Sequence, residues 1–246
     1  MTSERTIDEL KGTRLTLIQP RKGFRVNVDT ILLAGFTKVK HGEKVCELGC
    51  AHGAVSLILG GRTSVQVTGL DIQADLIEMA TENAALNGLS QKVSFLHHDL
   101  RFVDQALPPQ GFDVVVSNPP YGDPERHRQG IREGEIMARH GILCSLDDIG
   151  RSFGYLLKHG GRGYTVFTAE RMVGLMESMR KNGLEPKAVL PVYPRDDKEG
   201  SVFLMKSIKG AAPGLRLLPP LFIGDCSGNS TEKLLSYYTV EGCPCP

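Results

Sequence analysis

Lys44-Val45-Cys46-Glu47-Leu48-Gly49-Cys50-Ala51-His52-Gly53 joins a short apolar run to a glycine-rich turn. Lys44–Leu48 reads as a buried strand, and Ala54–Leu59 behind the turn as the start of a helix. Gly49 and Gly53 allow the backbone to turn sharply and to approach a ligand at a helix N-terminus. Strand, tight turn and helix in that order begin an α/β fold on a mostly parallel sheet.

The rest of the chain continues the alternation. Val65–Leu70 reads as a second strand ending at Asp71, and Gln73–Leu86 as a helix stopped by Asn87-Gly88. Val93–Leu96 is a third strand, followed by His97-His98-Asp99, and Val114–Val116 a fourth. Leu146–Leu157 reads as a helix closed by Gly160-Gly161, Tyr164–Phe167 as a fifth strand, and Ala169–Met179 as a helix ending at Asn182-Gly183. Ala188–Val192 and Val202–Lys206 are expected to pair as a terminal antiparallel hairpin. Seven strands with helices on both faces result. Ligands of such sheets bind at the carboxyl ends of the strands. Glu47–Gly53, Asp71, Asp99 and Asn118 all fall there.

Composition narrows the function classes. The 246 residues carry 29 Lys and Arg against 28 Asp and Glu, a net charge of +1. No global positive field exists to hold nucleic acid, so any such contact must be a local patch. Six cysteines include no Cys-x-x-Cys pair, and no histidines stand at metal spacing, so no metal is expected. Cys46 and Cys50 are expected to pack as small apolar groups, and Cys243-Pro244-Cys245 to be a frayed tail. No run approaches the roughly 20 apolar residues that span a bilayer. No secretory leader is legible behind Met1-Thr2-Ser3-Glu4-Arg5. The expectation is a cytoplasmic protein, with a monomer favoured and no membrane partner.

The chemistry concentrates at Asn118-Pro119-Pro120-Tyr121, directly after the apolar run Phe112–Ser117. As a bare pattern, Asn-Pro is also an ordinary turn signal after a strand. Combined with the Glu47–Gly53 turn, it resembles the class I S-adenosylmethionine-dependent methyltransferases, in the form that methylates a planar, conjugated nitrogen. The implied fold is their Rossmann-like sheet, and the implied cofactor is S-adenosyl-L-methionine. Such a nitrogen is a poor nucleophile while its lone pair is delocalised. Two acceptors on its N–H groups favour the more tetrahedral state that attacks methyl carbon. The Asn118 side-chain oxygen and the Pro119 carbonyl are expected to be those acceptors. Pro119 and Pro120 lack N–H groups and stiffen the backbone. Tyr121 offers a flat face for stacking.

Cofactor contacts are expected from Glu47, Gly49, Gly53, Asp71, Ile72, Asp99, Leu100 and Asn118. Asp71 would accept both ribose hydroxyls, with Ile72 against the adenine ring. Asp99 would accept the adenine amine, with the Leu100 N–H facing a ring nitrogen. Taken singly, either aspartate reads equally as a helix cap. Ala51 stands where many relatives carry a middle glycine. A dinucleotide is the competing cofactor, but Glu-x-Gly-x-x-x-Gly departs from the Gly-x-Gly-x-x-Gly spacing. His97 and His98 read as solvated or structural.

Gln19-Pro20-Arg21-Lys22-Gly23-Phe24-Arg25-Val26-Asn27-Val28-Asp29-Thr30-Ile31-Leu32-Leu33-Ala34 resembles a stretch of the bacterial tRNA(Val) adenine-37 N6-methyltransferases. In that stretch Phe24 replaces Tyr, Val26 replaces Phe and Asn27 replaces Ser. Ala138-Arg139-His140 and Leu217-Leu218-Pro219-Pro220-Leu221 are similar too. The resemblance implies N6-methylation of an unpaired adenine in tRNA, with the anticodon stem-loop as partner. Residues 1–42 and 209–246 lie outside the core strand–helix pattern, so the expected organisation is a lid or substrate segment at 1–42, a methyltransferase core at 43–208 and a C-terminal extension at 209–246. Arg126, His127, Arg128, Arg132, Arg139 and His140, with Arg21, Lys22 and Arg25, are the expected phosphate contacts. The bland reading is a solvated charged loop, since Glu125, Glu133 and Glu135 are interleaved. Three other activities compete: protein glutamine N5-methylation, rRNA guanine N2-methylation, and a non-catalytic cofactor- or RNA-binding scaffold.

Overall fold

The computed structural model describes residues 5–62, 64–119 and 144–238. A hairpin of β1 (Arg5–Glu9) and β2 (Thr16–Pro20) precedes α1 (Val28–Phe36). Five parallel strands follow: β3 (Lys44–Leu48), β4 (Gln66–Asp71), β5 (Val93–His97), β6 (Phe112–Ser117) and β7 (Leu157–Thr168). Their helices are α2 (Ala54–Arg62), α3 (Ala74–Leu86) and α4 (Leu146–Leu156). α5 (Met172–Lys181), β8 (Leu184–Tyr193) and β9 (Val202–Lys209) come next. β10 (Arg216–Leu217), β11 (Leu221–Phe222) and α6 (Glu232–Tyr237) complete the described chain.

The sheet order is β10-β8-β9-β7-β6-β3-β4-β5, with β11 also paired to β8. β9 is antiparallel to both neighbours, as the expected terminal hairpin requires. The sheet has nine strands where seven are expected from the sequence, because two-residue strands at 216–217 and 221–222 add to the β8 edge. Segments of that length carry no periodicity to read. The expected helix end at Gly160-Gly161 is also corrected. Strand β7 already begins at Leu157, where the sequence suggests a start at Tyr164, because this long strand passes through both glycines.

Two apolar clusters flank the sheet. One contains Leu32, Leu33, Leu57, Leu59, Tyr164 and Tyr237, and binds α1, α2 and α6 to one face. Phe36 meets Tyr164 edge-on there, with ring centroids 5.8 Å apart. The other contains Phe153, Leu156, Leu175, Met179 and Phe203, and fixes α4 and α5 to the opposite face. Cys46 and Cys50 are buried, as expected of small apolar groups.

The N-terminal hairpin has no counterpart in the sequence reading. It buries Leu17 in the first cluster and is held by amides on α3. Asn83, fully buried, accepts from the Ile18 N–H at 2.6 Å and donates to the Ile18 carbonyl at 2.8 Å and to the His52 carbonyl at 3.0 Å. Asn87 makes the same pair of bonds with Thr16, at 2.9 and 2.8 Å. The two asparagines thus act as an extra strand for β2. Asn83→Ala leaves the half-buried Ile18 N–H and carbonyl and the buried His52 carbonyl without this partner, at about 1–3 kcal/mol each at most before water or relaxation. Urea denaturation is expected to show a stability loss of roughly 2–4 kcal/mol, against under ~1 for the exposed control Glu78→Ala.

Candidate active site

β3 and β6 are neighbours, and the connections leave them in opposite directions, to β4 and to β7. A crevice opens at such a switch point beyond the carboxyl ends of the strands. Here a cavity of about 470 Å³ lies there, bounded by residues 23–25 and 27, 47, 49–52, 54–55, 70–73, 98–101 and 118–119, with Thr30 and Cys144. This volume suits a nucleoside-sized ligand. The structure therefore brings together Glu47, Gly49, Asp71, Ile72, Asp99, Leu100, Asn118 and Pro119 in one wall. Gly53 stands at the entry to α2 just behind it. Pro120, Tyr121 and the basic residues between 125 and 140 lie outside the described residues.

The turn after β3 is held by its neighbour strand. Gly49 and Cys50 donate their N–H groups to the Leu70 carbonyl at 2.9 and 3.0 Å, and Gly53 N–H reaches back to Cys50 at 2.8 Å. Gly49 has φ of +73° and Gly53 of +86°; a Cβ on Gly53 would stand 2.5 Å from the Phe95 ring. Ala51 also has positive φ, +46°. This is the position without a glycine, and a side chain there costs roughly 1–2 kcal/mol. Asp71 offsets that strain by accepting the Ala51 N–H at 2.9 Å through Oδ2.

Asp71 ends β4, buried, and its Oδ1 accepts the Gln73 N–H at 3.0 Å. Each oxygen keeps a lone pair for a ligand hydroxyl. Burial pushes its pKa up, and the two backbone N–H groups pull the other way. Glu47 lies deeper. It accepts from the Ser56 N–H at 2.8 Å and from the Ser56 hydroxyl, yet burial and then the nearby Asp71 charge leave its pKa at about 8. Asp99 is otherwise engaged: Arg101 grips it through Nε and Nη2 at 2.8 and 2.6 Å. Burial pushes the Asp99 carboxyl up, but Arg101 holds it below the usual range. Ser117, the residue before Asn118, donates its hydroxyl to the Leu48 carbonyl at 2.8 Å. That bond ties the exits of β3 and β6 together.

Several wall residues escape the sequence reading. His52 is 3% exposed, and neither ring nitrogen has a partner among the described residues. Burial, and then the Arg25 charge, lower its pKa to about 4. A neutral imidazole with both nitrogens unused is available to a ligand as donor and acceptor. Only its place inside the glycine turn marks it in the sequence. Asn27 caps α1, accepting the Thr30 N–H at 3.0 Å, and Phe24, Asn27 and Thr30 line the cavity. Arg25, expected to meet phosphate, is instead tied to the hairpin: it donates to Asp8 at 3.0 Å, Thr6 at 2.9 Å and the Pro20 carbonyl at 2.8 Å. His97 and His98 face the Ile72 and Phe102 carbonyls at 2.9 and 2.8 Å, in keeping with structural roles.

A family model described as a methyltransferase domain matches residues 39–211. A tRNA1(Val) (adenine(37)-N6)-methyltransferase of Phocaeicola vulgatus is 26% identical over 172 residues, 70% of this chain and 71% of the relative. The Bacteroides fragilis protein of the same name is 24% identical over 229 residues, covering 91% of this chain and 87% of its own length. Among solved structures, a predicted O-methyltransferase from Agrobacterium tumefaciens superposes with TM-score 0.72 at 18% identity, over 87% of this chain and 97% of its own. TrmN from Thermus thermophilus superposes with TM-score 0.53 at 21% identity, over 73% of this chain and 48% of its own.

The Glu47 carboxyl makes stability depend on pH. Its folded pKa of about 8 lies above its ordinary 4.5, so between those values the folded state holds a proton that the unfolded chain has released. This stabilisation is complete below about pH 4.5 and is lost as pH rises through about 8. Thermal melts of the ligand-free protein are expected to show Tm falling from pH 5 to 8.5, and Glu47→Gln to flatten that fall. Equal slopes for the two proteins would place the buried charge elsewhere.

Proposed function

This chain belongs to the methyltransferase-domain family, and we propose that it transfers a methyl group from S-adenosylmethionine to N6 of an unpaired adenine in tRNA, next to the anticodon. The observation that carries this reading is the meeting of Asn118 with Glu47, Asp71 and His52 in one cavity at the β3/β6 switch point.

The wall fits that cofactor better than a dinucleotide. Two buried carboxyl groups, Glu47 and Asp71, face a ligand; a cationic sulfonium would favour their ionised form, and a diphosphate would oppose it. Asp71 would hold the ribose hydroxyls and Ile72 would pack on the adenine. Positive φ at Gly49 allows the backbone to approach the ligand closely. Asp99 and the Leu100 N–H mark the adenine edge, where Asp99 keeps its spare lone pairs while Arg101 fixes its orientation. His52 and the Asn27 end of α1 face the remaining, amino-acid portion. When bound, the cofactor supplies an electrophilic methyl carbon on sulfur.

The protein's part is to place and polarise the amine. The Asn118 oxygen and the Pro119 carbonyl accept its two N–H groups, which concentrates the lone pair on nitrogen. The nitrogen polarised in this way would accept the methyl group and then release its surplus proton to water. No general base is required. Tyr121 stacks on the base. The residues at 1–42 serve as the lid, 43–208 as the catalytic core and 209–246 as a packed extension. An anticodon-loop adenine is unpaired and enters at modest cost. The name carried by the 24–28% identical relatives supports the tRNA substrate.

Asn118→Ala is expected to lower kcat by about 10²–10³ while cofactor affinity stays within a few-fold. Asp71→Ala is expected to weaken cofactor binding by roughly 1.5–3 kcal/mol in calorimetry. The deciding assay offers labelled cofactor with unmodified tRNA, rRNA and peptide release factor. Label in tRNA that digests to N6-methyladenosine is the expected result. Label in release factor alone selects the glutamine activity, and label in rRNA guanine the N2 activity. Cofactor binding without any turnover selects the scaffold.

A further inference from the structure

Away from the cavity, the sheet register sets basic side chains in a row. Lys206 of β9 is paired with Tyr164 of β7 on one side and with Ala188 of β8 on the other, and Ala188 is paired in turn with Arg216 of β10. Directly paired residues project from the same face. Tyr164 belongs to the apolar cluster beneath α1, so Lys206 and Arg216 lie on the α1 side, about 10 Å apart across two strand spacings. Ala188 between them is too short to fill the gap. Arg162 lies two residues before Tyr164 on β7, hence on the same face. The chain leaving α1 brings Lys40 to the row, close enough to act on the Lys206 charge.

The acid inventory of the row is small. Glu43 accepts from Arg162 and from the Lys40 backbone N–H. Lys206, Arg216 and the Lys40 ammonium have no carboxylate partner among the described residues. Acids are not scarce in this chain, which has 28 of them against 29 cations. Glu185, level with Arg162 through Ile208, is engaged by Arg180, so the four cations have Glu43 as their one paired carboxylate and repel one another where a neutralised surface was equally accessible. Burial, and then Arg162, Arg216 and Lys40, depress the Lys206 pKa. Such a row is stabilised by a polyanion that sheds its counterions on binding.

We propose that Lys206 and Arg216, flanked by Lys40 and Arg162, form a phosphate-backbone contact for the RNA substrate, separate from the mouth of the cavity. The inference rests on the RNA reading above and extends it. Lys206 is level with Tyr164 and hence with Val116, two residues before Asn118. The row thus begins only about 7 Å down the sheet from the reacting end. A stem whose loop base enters the cavity must lie along some flank of the protein, and this flank carries the unneutralised charge.

The test is the double variant Lys206→Ala/Arg216→Ala of the full chain, with Lys206→Arg/Arg216→Lys as the charge-preserving partner and Lys92→Ala as the control on another surface. Anisotropy titrations with full-length unmodified tRNA are run from low to high salt, alongside cofactor calorimetry and methyl transfer at saturating tRNA. The alanine double variant is expected to bind tRNA several-fold more weakly at moderate salt. Its log–log salt slope should be smaller by about two, one per cation removed. Cofactor affinity and saturated turnover should be unchanged, and the charge-preserving variant and the control should match wild type. Wild-type affinity and salt slope in the alanine variant, with wild-type protein still methylating tRNA, overturn this proposal alone. Wild-type protein that neither binds nor methylates tRNA overturns the RNA reading and this contact with it. A loss of cofactor affinity in the alanine variant shows a folding defect in place of a lost contact, and also counts against the proposal.

Discussion

The pairing of β3 with β6 is the constraint on which the site depends. It puts two exits side by side, one leading to the glycine turn and one to Asn118, while their connections diverge. The Ser117 hydroxyl bond to the Leu48 carbonyl fixes those exits at a single spacing. The turn is then set from the other side, because Leu70 and Asp71 of β4 hold Gly49, Cys50 and Ala51. Asp71 therefore has two duties. The carboxylate presented to a ligand also supports the one strained non-glycine residue of the loop. Its replacement should disturb the turn as well as remove an acceptor, and a loss of cofactor binding there should be compared with Asp71→Asn before it is assigned to the ligand contact.

Burial sets the electrostatics of the cavity. Glu47 and Asp71 are both drawn from water, and the Asp71 charge adds to the cost of ionising Glu47. A cation at the cavity relieves that cost, since it stabilises the charged form of both. The wall is thus poised for a positively charged ligand before any ligand contact is counted. His52 contributes in the opposite sense. Kept neutral by burial and by Arg25, it adds hydrogen-bonding capacity without adding charge. Arg25 acts through the same arrangement, since Asp8 and Thr6 of the hairpin hold its guanidinium.

Much of this was legible in the sequence because it rests on short-range pattern. The strand ends at Leu48, Asp71 and Ser117 follow from apolar runs that stop at polar or glycine residues, and ligand chemistry collects at such ends. The unread parts have a common physical cause. β1 and β2 alternate weakly, and they are fixed by Asn83 and Asn87, amides some 65 to 71 residues distant. β10 and β11 have two residues each and exist only because β8 offers a free edge. The engagement of Asp99 by Arg101 depends on side-chain rotamers, which no spacing reveals. His52 is distinguished only by burial, and Arg25 only by the hairpin that captures it.

The distribution of charge ties the two ends of the structure together. A net charge of +1 excludes capture of nucleic acid by a diffuse field, so recognition must come from positions where like charges are kept near each other against their repulsion. The fold supplies such a place in the row from Arg162 to Arg216, because pairing across β7, β9, β8 and β10 fixes which side chains share a face. It supplies the opposite at the cavity, where Glu47 and Asp71 face inward. Acid is sequestered in the cavity, and basic side chains are displayed on the flank. On the proposed reading, a substrate carrying many phosphates and one reactive base matches that division: its backbone would be held outside the cavity, and only the uncharged base would pass the two carboxyl groups.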